Sequence, residues 1–208
     1  MESATIAALL QPFAELSPEV LAKTSTYLEL LLKWNAKVNL TAVRDREGII
    51  TRHFGESFFA ARTLFPEPRS ESAVDLGSGA GFPGLPLAML RPEVEVTLVE
   101  SNSKKAAFLS ETIRVLELGN ARVFSRRAEA YPTRVDLVTM RAVEEFERAV
   151  RLASDLVREG GRIALMIGPS QLGKARILVP GVKWQEPWPL PGGGSRLLLA
   201  GIKSVRRG

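Results

Sequence analysis

The 208-residue sequence contains no cysteine and a single histidine, His53. The absence of cysteine excludes disulfides, thiolate metal sites and cysteine nucleophiles, and it is typical of a cytosolic protein. One histidine also excludes a histidine-rich metal site. No apolar run approaches the roughly 18 residues that span a bilayer, and the first residues lack the pattern of a signal peptide. We therefore expect a cytoplasmic protein that uses neither a metal nor a membrane.

Positive charge is in slight excess. Lysine and arginine number 28 against 23 acidic residues, which gives a net charge of +5 and a pI of about 9.8. This bias suits a polyanionic partner such as nucleic acid, although a solvated surface with a little extra arginine gives the same totals. The basic residues recur in short groups, at 44–52, 104–105, 122–127 and 203–207. The length is that of one ordinary domain, for which a monomer is the default expectation.

The most informative stretch is glycine-rich and covers residues 74–84, V-D-L-G-S-G-A-G-F-P-G. A short apolar strand ends in an acid, and a flexible turn then opens a helix whose first amides carry free N–H donors and a partial positive charge. From Gly79 the loop fits Gly-x-Gly-x-x-Gly, the dinucleotide fingerprint. From Asp75 it fits Asp-x-Gly-x-Gly-x-Gly, which is similar to the loop of S-adenosyl-L-methionine (AdoMet) methyltransferases. A plain strand-to-helix turn without a ligand is the structural alternative.

The acid at the end of the strand favours AdoMet. A carboxylate at Asp75 attracts an ammonium group such as that of a methionine moiety, whereas it repels a pyrophosphate. A second acid, Glu100, follows the next predicted strand, where a carboxylate can accept hydrogen bonds from ribose hydroxyls. We therefore assign Asp75, Gly77, Gly79 and Glu100 to a cofactor site.

From residue 72 onward, strands and helices are predicted to alternate. The predicted strands are 72–76, 94–100, 121–125, 135–140 and 161–167, and the helices between them are 83–91, 103–118 and 144–157. Such alternation indicates an α/β, Rossmann-like fold with a mostly parallel sheet and helices on both faces, which binds ligands at the carboxyl ends of its strands. Strands at 182–186 and 197–202 are expected to form an antiparallel hairpin, which is typical of class I AdoMet-dependent methyltransferases.

The first 65 residues contain no convincing strand. Ser17, Pro18 and Glu19 predict the start of a helix, because they supply a capping hydroxyl, a first-turn proline and a first-turn acid. A second helix is predicted from about residue 47 to 64. We expect residues 1–66 to form a helical extension packed on the core and residues 67–208 to form the AdoMet-binding core.

Three ordered motifs carry a family resemblance. They are W-N-x-x-V-N-L-T at 34–41, R-H-x-x-E-S at 52–57 and D-L-G-S-G-A-G-F-P-G-L-P at 75–86. Together they closely resemble the small-subunit ribosomal RNA methyltransferase G family, also called the glucose-inhibited division protein B family. Shorter later stretches fit too, at 104–109, 127–129 and 141–142. The resemblance implies a class I AdoMet-dependent enzyme that methylates N7 of a guanine in 16S ribosomal RNA, within the small ribosomal subunit or an assembly precursor.

The resemblance also implies roles for individual residues. Gly77 and Phe82 are expected to contact the cofactor in the glycine loop, and Ala128 and Glu129 in the turn after the third strand. Glu100 occupies the place of the family's acid after the second strand.

Arg141 matches a family arginine that lies beside the cofactor and the target base, and it is a candidate catalytic residue through positioning of the base or a phosphate. A surface or helix-capping arginine is the alternative. His53 and Ser57 match a histidine–serine pair four residues apart, a spacing that puts both side chains on one helix face. His53 is a candidate catalytic residue, or else a structural residue that ties the N-terminal helices to the cofactor loop.

Two features limit the chemistry that we expect. Guanine N7 already carries a lone pair, so catalysis is mainly positioning and requires neither a catalytic triad nor a metal.

The sequence departs from the family at Ile167, where relatives commonly carry a lysine before the glycine that ends the fifth strand. If that lysine contacts RNA phosphate in relatives, this chain has lost the contact or supplies it elsewhere, for example from Lys174.

Two other classes of function stay open from the sequence. A class I methyltransferase for a small molecule or a protein is one, but the basic charge argues against it. The amino-methyltransferase loop Asn/Asp-Pro-Pro-Tyr/Phe is also missing after the fourth strand, where residues 139–142 read T-M-R-A. A nicotinamide-dependent oxidoreductase or a non-catalytic nucleotide binder is the other, and Asp75 and the terminal hairpin argue against it.

Overall fold

The computed structural model describes residues 3–143 and 145–205, in which an eight-stranded sheet is flanked by helices. The helices are α1 (Ser3–Leu10), α2 (Pro18–Val38), α3 (Arg46–Ile49), α4 (Glu56–Leu64), α5 (Gly84–Leu90), α6 (Ser103–Val115), α7 (Phe146–Leu156) and α8 (Pro169–Leu178). The strands are β1 (Glu71–Leu76), β2 (Val94–Val99), β3 (Ala121–Phe124), β4 (Val135–Arg141), β5 (Val157–Ile167), β6 (Val182–Trp184), β7 (Trp188–Pro189) and β8 (Leu197–Lys203).

The sheet has the order β3-β2-β1-β4-β5-β8-β6, with β7 paired to β8. Strands β1 to β5 pair in parallel, and β8 pairs antiparallel with β5, β6 and β7. The predicted α/β class and the antiparallel C-terminal pairing are confirmed. The strand order reverses between β1 and β4, which is where a sheet of this type opens a ligand crevice at its carboxyl edge.

Local sequence explains where the predicted helices begin and end. The Ser17 hydroxyl accepts a hydrogen bond from the Val20 N–H at 3.3 Å, with Pro18 in the first turn, as expected for a helix start. Helix α2 ends at Asn39, whose φ of 50° is left-handed. The Asn102 side chain accepts hydrogen bonds from the backbone N–H groups of Lys104 and Lys105, which caps α6.

The structure differs from the predicted elements in several places, and one of them is the unpredicted short strand β7. Helices α1 and α8 were not predicted, although Pro169 in the first turn of α8 is a helix-start signal. The helix predicted at 47–64 is interrupted by a π-helical segment, Ile50–Gly55, between α3 and α4. Strand β5 begins four residues before the predicted 161, because Gly160, with a φ of 76°, lets the strand bend without ending it. The predicted start at Glu144 and the basic residues Arg206 and Arg207 lie outside the described residues.

Two apolar clusters pack on the sheet. One joins the N-terminal helices to α5, α6 and one face of the sheet, and its largest fully buried side chains include Tyr27, Phe54, Phe58, Phe65 and Phe108. The other joins α7 and α8 to β4, β5 and β8. The division of the chain at residue 66 stays a prediction. Within the described ranges, no helix is long and apolar enough to cross a membrane.

Candidate functional site

A cleft of about 1050 Å³ opens at the carboxyl ends of the parallel strands. Predicted site residues that line it are His53, Gly77, Gly79, Phe82, Glu100, Ala128, Glu129 and Arg141. They come from the π-helical segment, the loop after β1, the end of β2, the turn after β3 and the end of β4. The topology therefore brings together residues that are up to 88 positions apart, as Arg141 and His53 are.

The glycine loop requires glycine at its tightest point. Gly77, Gly79 and Gly81 have φ angles of 64°, 55° and 91°, in the region that side chains disfavour. A Cβ atom at Gly81 would lie 2.4 Å from the Leu85 side chain and 2.5 Å from the Tyr27 hydroxyl. The Cβ would therefore strain the backbone and collide with its supports.

Asp75 lies beneath the glycine loop, and its side chain does not line the cleft. Its carboxylate, which is 1% exposed, accepts hydrogen bonds from the Thr139 hydroxyl at 2.8 Å and from the Gly84 N–H at 3.3 Å. Burial raises the pKa of Asp75 to about 6, although these hydrogen bonds oppose the shift. Any attraction of an ammonium group by Asp75 would therefore act from beneath the loop. This carboxylate holds the start of α5 against β4 and so shapes the loop from below.

Glu100 is placed as the sequence suggested, at the end of β2 and facing the cleft. One carboxylate oxygen accepts the Gly79 N–H at 3.0 Å, and the other accepts the Asn102 N–H at 2.8 Å. Each oxygen has a second lone pair that can accept a hydrogen bond from a hydroxyl group. Glu100 thus ties the glycine loop to the start of α6 and keeps acceptor capacity for a ribose.

An aromatic cluster supports the loop from the N-terminal helices. The Phe82 ring stacks on Tyr27, with centroids 5.3 Å apart and planes 7° apart, and it meets Phe54 edge-on at 5.0 Å. His53 stacks on Phe82 at 5.1 Å. The buried Tyr27 hydroxyl also donates a hydrogen bond to the carbonyl of Ala80. This contact of Tyr27 with the loop was not predicted.

The ring of His53 is oriented by a short chain of hydrogen bonds. Its Nε2 lies 2.6 Å from the Thr41 hydroxyl, and the Asn35 side chain pairs with both the N–H and the carbonyl of Thr41. Ser57 does not act on this ring, because its buried hydroxyl donates to the backbone carbonyl of His53 at 2.6 Å. The side chains of the expected histidine–serine pair are therefore not brought together. His53 instead connects the N-terminal helices to Phe82.

We expect His53 to remain neutral throughout the physiological range. Burial, followed by the positive charges of Arg141 and Arg52, lowers its pKa to about 3. In the unfolded chain the ring takes up a proton below about pH 6.5. This group therefore lowers the free energy of unfolding as the pH falls from that value towards 3. Because it is the only histidine, its ring ¹⁵N signals are unambiguous, and they should not change between pH 8 and 5. A titration midpoint near 6.5 would contradict this environment.

Arg141 lies at the end of β4 in a network that the sequence did not predict. Its Nη2 donates a hydrogen bond to the Arg52 carbonyl at 2.6 Å and forms an ion pair with Glu56 Oε2 at 3.2 Å. The other Glu56 oxygen pairs with Arg196 at 2.5 Å. Glu56 lies inside the 52–57 motif, which was a usable signal. Arg196 follows a glycine turn and belongs to no motif.

The remaining positions named from the sequence differ in how they lie relative to the cleft. Ala128 and Glu129 form a 3₁₀ turn after β3, and the Glu129 carboxylate pairs with Arg148. Ile167, where the family resemblance led us to expect a lysine, is a buried part of the cleft wall. Lys174 is exposed on α8 and does not line the cleft.

The family model for rRNA small subunit methyltransferase G matches residues 20–177. Curated proteins named ribosomal RNA small subunit methyltransferase G are similar as well. The one from Xanthomonas euvesicatoria is 46% identical over 144 residues, which is 68% of this chain and 66% of that protein. The one from Stenotrophomonas maltophilia is 45% identical over 157 residues, 74% of this chain and 70% of that protein. The chain thus aligns with about two thirds of the length of these relatives.

Solved structures share the fold at low sequence identity. Magnesium protoporphyrin IX methyltransferase from Synechocystis, solved with bound SAM, superposes with a TM-score of 0.66 at 16% identity. The match covers 92% of this chain and 99% of that one. At this identity the similarity supports the class I methyltransferase fold.

Proposed function

The chain belongs to the rRNA small subunit methyltransferase G family, and on that basis we propose that it transfers the methyl group of AdoMet to N7 of a guanine in 16S ribosomal RNA. The family match confirms the predicted family, and together with the fold it supports an AdoMet-dependent methyltransferase. The target atom, N7 of a guanine, is part of the proposal. So is the form of the RNA substrate, which is the small ribosomal subunit or an assembly precursor.

The arrangement of the cleft is the observation that carries the proposal. One side of it holds the glycine loop and Glu100, which suit a nucleoside cofactor. The rest is strongly cationic, lined by Arg52, Lys105, Arg126, Arg127, Arg141, Arg148 and Arg196 against the carboxylates Glu100, Glu129 and Glu145. This charge suits an RNA backbone next to a buried reaction centre.

The residues present fit AdoMet. The loop at Gly77 and Gly79 has left-handed backbone where a cofactor can approach closely, and Glu100 offers acceptor oxygens at the end of β2. When bound, AdoMet supplies a sulfonium methyl group that is open to attack by a lone pair. The protein has to hold the guanine in line, because N7 has no proton to remove. Arg141 is suited to this role, since its guanidinium lies on the cleft wall and can donate to an acceptor oxygen of the RNA.

The direct test is methyl transfer from labelled AdoMet to small ribosomal subunits that lack N7-methylguanine, with naked 16S RNA in a parallel reaction. We expect label in N7-methylguanosine at a single site, identified by digestion to nucleosides and by primer extension. Label in a different base, or in ribosomal protein, would contradict the proposed target. AdoMet binding without transfer to either RNA would contradict an RNA substrate.

We propose that Arg126 and Arg127 form part of the RNA surface, because both are exposed and line the cleft. Charge reversal at both positions should weaken RNA binding by at least about tenfold at moderate salt. The slope of log K against log salt concentration should also become shallower by about two, since two fewer phosphate contacts release counterions. Filter binding across a salt series measures both quantities. The matched control reverses two charges as well, at Arg62 and Arg114, because both residues are exposed but do not line the cleft. An equal loss in the control would show that the effect is one of net charge.

A further inference from the structure

A buried carboxylate joins two arginines at the wall of the cleft. Glu56, at the start of α4, is 1% exposed, and its two oxygens pair with Arg141 at 3.2 Å and with Arg196 at 2.5 Å. Arg141 ends β4, and Arg196 directly precedes β8. Both arginines line the cleft, whereas Glu56 does not. The carboxylate therefore lies behind the two cations, at the junction of the helical segment and the sheet.

The π-helical segment helps to fix this geometry. At its end the Glu56 N–H bonds to the carbonyls of Thr51 and His53, and the intervening Arg52 carbonyl accepts the hydrogen bond from Arg141. The Arg141 guanidinium is thereby held by two groups from one short stretch of chain, a carbonyl and a carboxylate. π-helical turns inside α-helices are rare, and those that occur are frequently at functional sites.

The charges explain why this carboxylate is needed. Burial raises the pKa of Glu56, while the two arginines act to lower it. Each of the two arginines also lowers the proton affinity of nearby groups, as the pKa of His53 shows. Without an anion between them, two guanidinium groups so close together would repel each other and separate. A buried charge pair that loses one partner leaves an uncompensated charge.

The two arginines still have unused donors. Each guanidinium carries more N–H groups than pair with Glu56, and the side chains, 13% exposed at Arg141 and 30% at Arg196, line the cleft. We propose that Glu56 is a positioning residue for methyl transfer, which holds Arg141 and Arg196 so that both present donors to acceptor oxygens of the RNA beside the reacting base. This inference rests on the proposed function, and it assigns Glu56 a role that is indirect, through the two arginines.

The test compares Glu56→Gln with Glu71→Gln. Glu71 also pairs with two arginines, Arg69 at 3.0 Å and Arg162 at 2.5 Å, but it lies at the amino end of β1, away from the cleft. Single-turnover transfer to subunits at saturating AdoMet should be about ten- to a hundredfold slower in Glu56→Gln, because the donors are displaced. The AdoMet dissociation constant should stay within about threefold, and Glu71→Gln should keep the parent rate.

The outcomes are separable from those for the proposed function. A parent protein that methylates no RNA contradicts the proposed function, whereas an active parent with an equally active Glu56→Gln variant overturns the role of Glu56. Glu56→Asp keeps the negative charge on a side chain that is one methylene shorter. Its transfer rate should therefore lie between those of Glu56→Gln and the parent. An Asp variant that folds and is as slow as Glu56→Gln would assign the effect to packing and overturn the proposal. If Glu56→Gln fails to fold, Glu56→Asp and Arg196→Gln carry the test, both with an expected loss of rate at unchanged AdoMet affinity.

Discussion

Alanine at position 81 is expected to weaken AdoMet binding by at least about tenfold. Gly81 has a φ of 91°, and for an L side chain a left-handed conformation of this kind costs about 1–2 kcal/mol, where 1.4 kcal/mol is already a factor of ten. The added methyl would also lie 2.4 Å from the Leu85 side chain and 2.5 Å from the Tyr27 hydroxyl. The loop can accept it only by moving away from Tyr27, which displaces the backbone that faces the cofactor.

Isothermal titration calorimetry with AdoMet measures this effect, and Gly173→Ala is the matched control. Gly173 lies in the middle of α8, and a Cβ atom there would meet nothing within 4 Å. The control should bind AdoMet normally and should be about 1 kcal/mol more stable, because alanine is a better helix former than glycine. A Gly81→Ala protein that binds AdoMet within about threefold of the parent would show that the loop tolerates the shift.

Removal of the Phe54 ring is expected to cost about 3–5 kcal/mol of the free energy of unfolding. Phe54 is fully buried in the π-helical segment, and its ring meets Tyr27 edge-on at 4.9 Å and Phe82 at 5.0 Å. Alanine at this position leaves a cavity directly behind the glycine loop. We therefore also expect weaker AdoMet binding, because Phe82 loses one of the rings that hold it.

Urea unfolding of Phe54→Ala and Phe59→Ala compares the same chemical deletion on two neighbouring turns. Phe59 is only half-buried, on α4, and its ring faces the Arg62 guanidinium. Phe59→Ala should therefore lower the free energy of unfolding by clearly less than Phe54→Ala does, and it should leave the AdoMet affinity unchanged. Equal losses in the two variants would mean that the aromatic cluster around Phe82 contributes no more than an ordinary surface contact.

Much of the fold could be predicted because its signals are local. The alternation of short apolar runs with helical stretches follows from the periodicity of the chain, and the parallel sheet follows from the alternation. The glycine loop and Glu100 could be assigned to one site for the same reason, since carboxyl ends of neighbouring parallel strands share an edge. The helix starts at Ser17 and Asn102 depend on a few adjacent residues.

Side-chain orientations that depend on packing could not be predicted. Asp75 was assigned to the cofactor site, and the structure buries it beneath the glycine loop, where Thr139 on β4 supplies its partner. Ser57 shares a helix face with His53, yet its hydroxyl satisfies a backbone carbonyl of that helix. The π-helical segment was not predicted either, because the sequence offers no local signal for it.

The sequence alone thus determined which functional groups are present. They are a glycine loop that follows a strand ending in an acidic residue, a second acidic residue at the end of the next strand, and one histidine in a basic chain without cysteine. Only the tertiary structure decided how these groups are used. It buried Asp75 beneath the loop, stacked His53 on Phe82, and brought Glu56 between Arg141 and Arg196, the last of which is 140 positions further along the chain. The reason is physical: periodicity and capping act between near neighbours, whereas burial and ion pairing depend on which distant segments the sheet brings together.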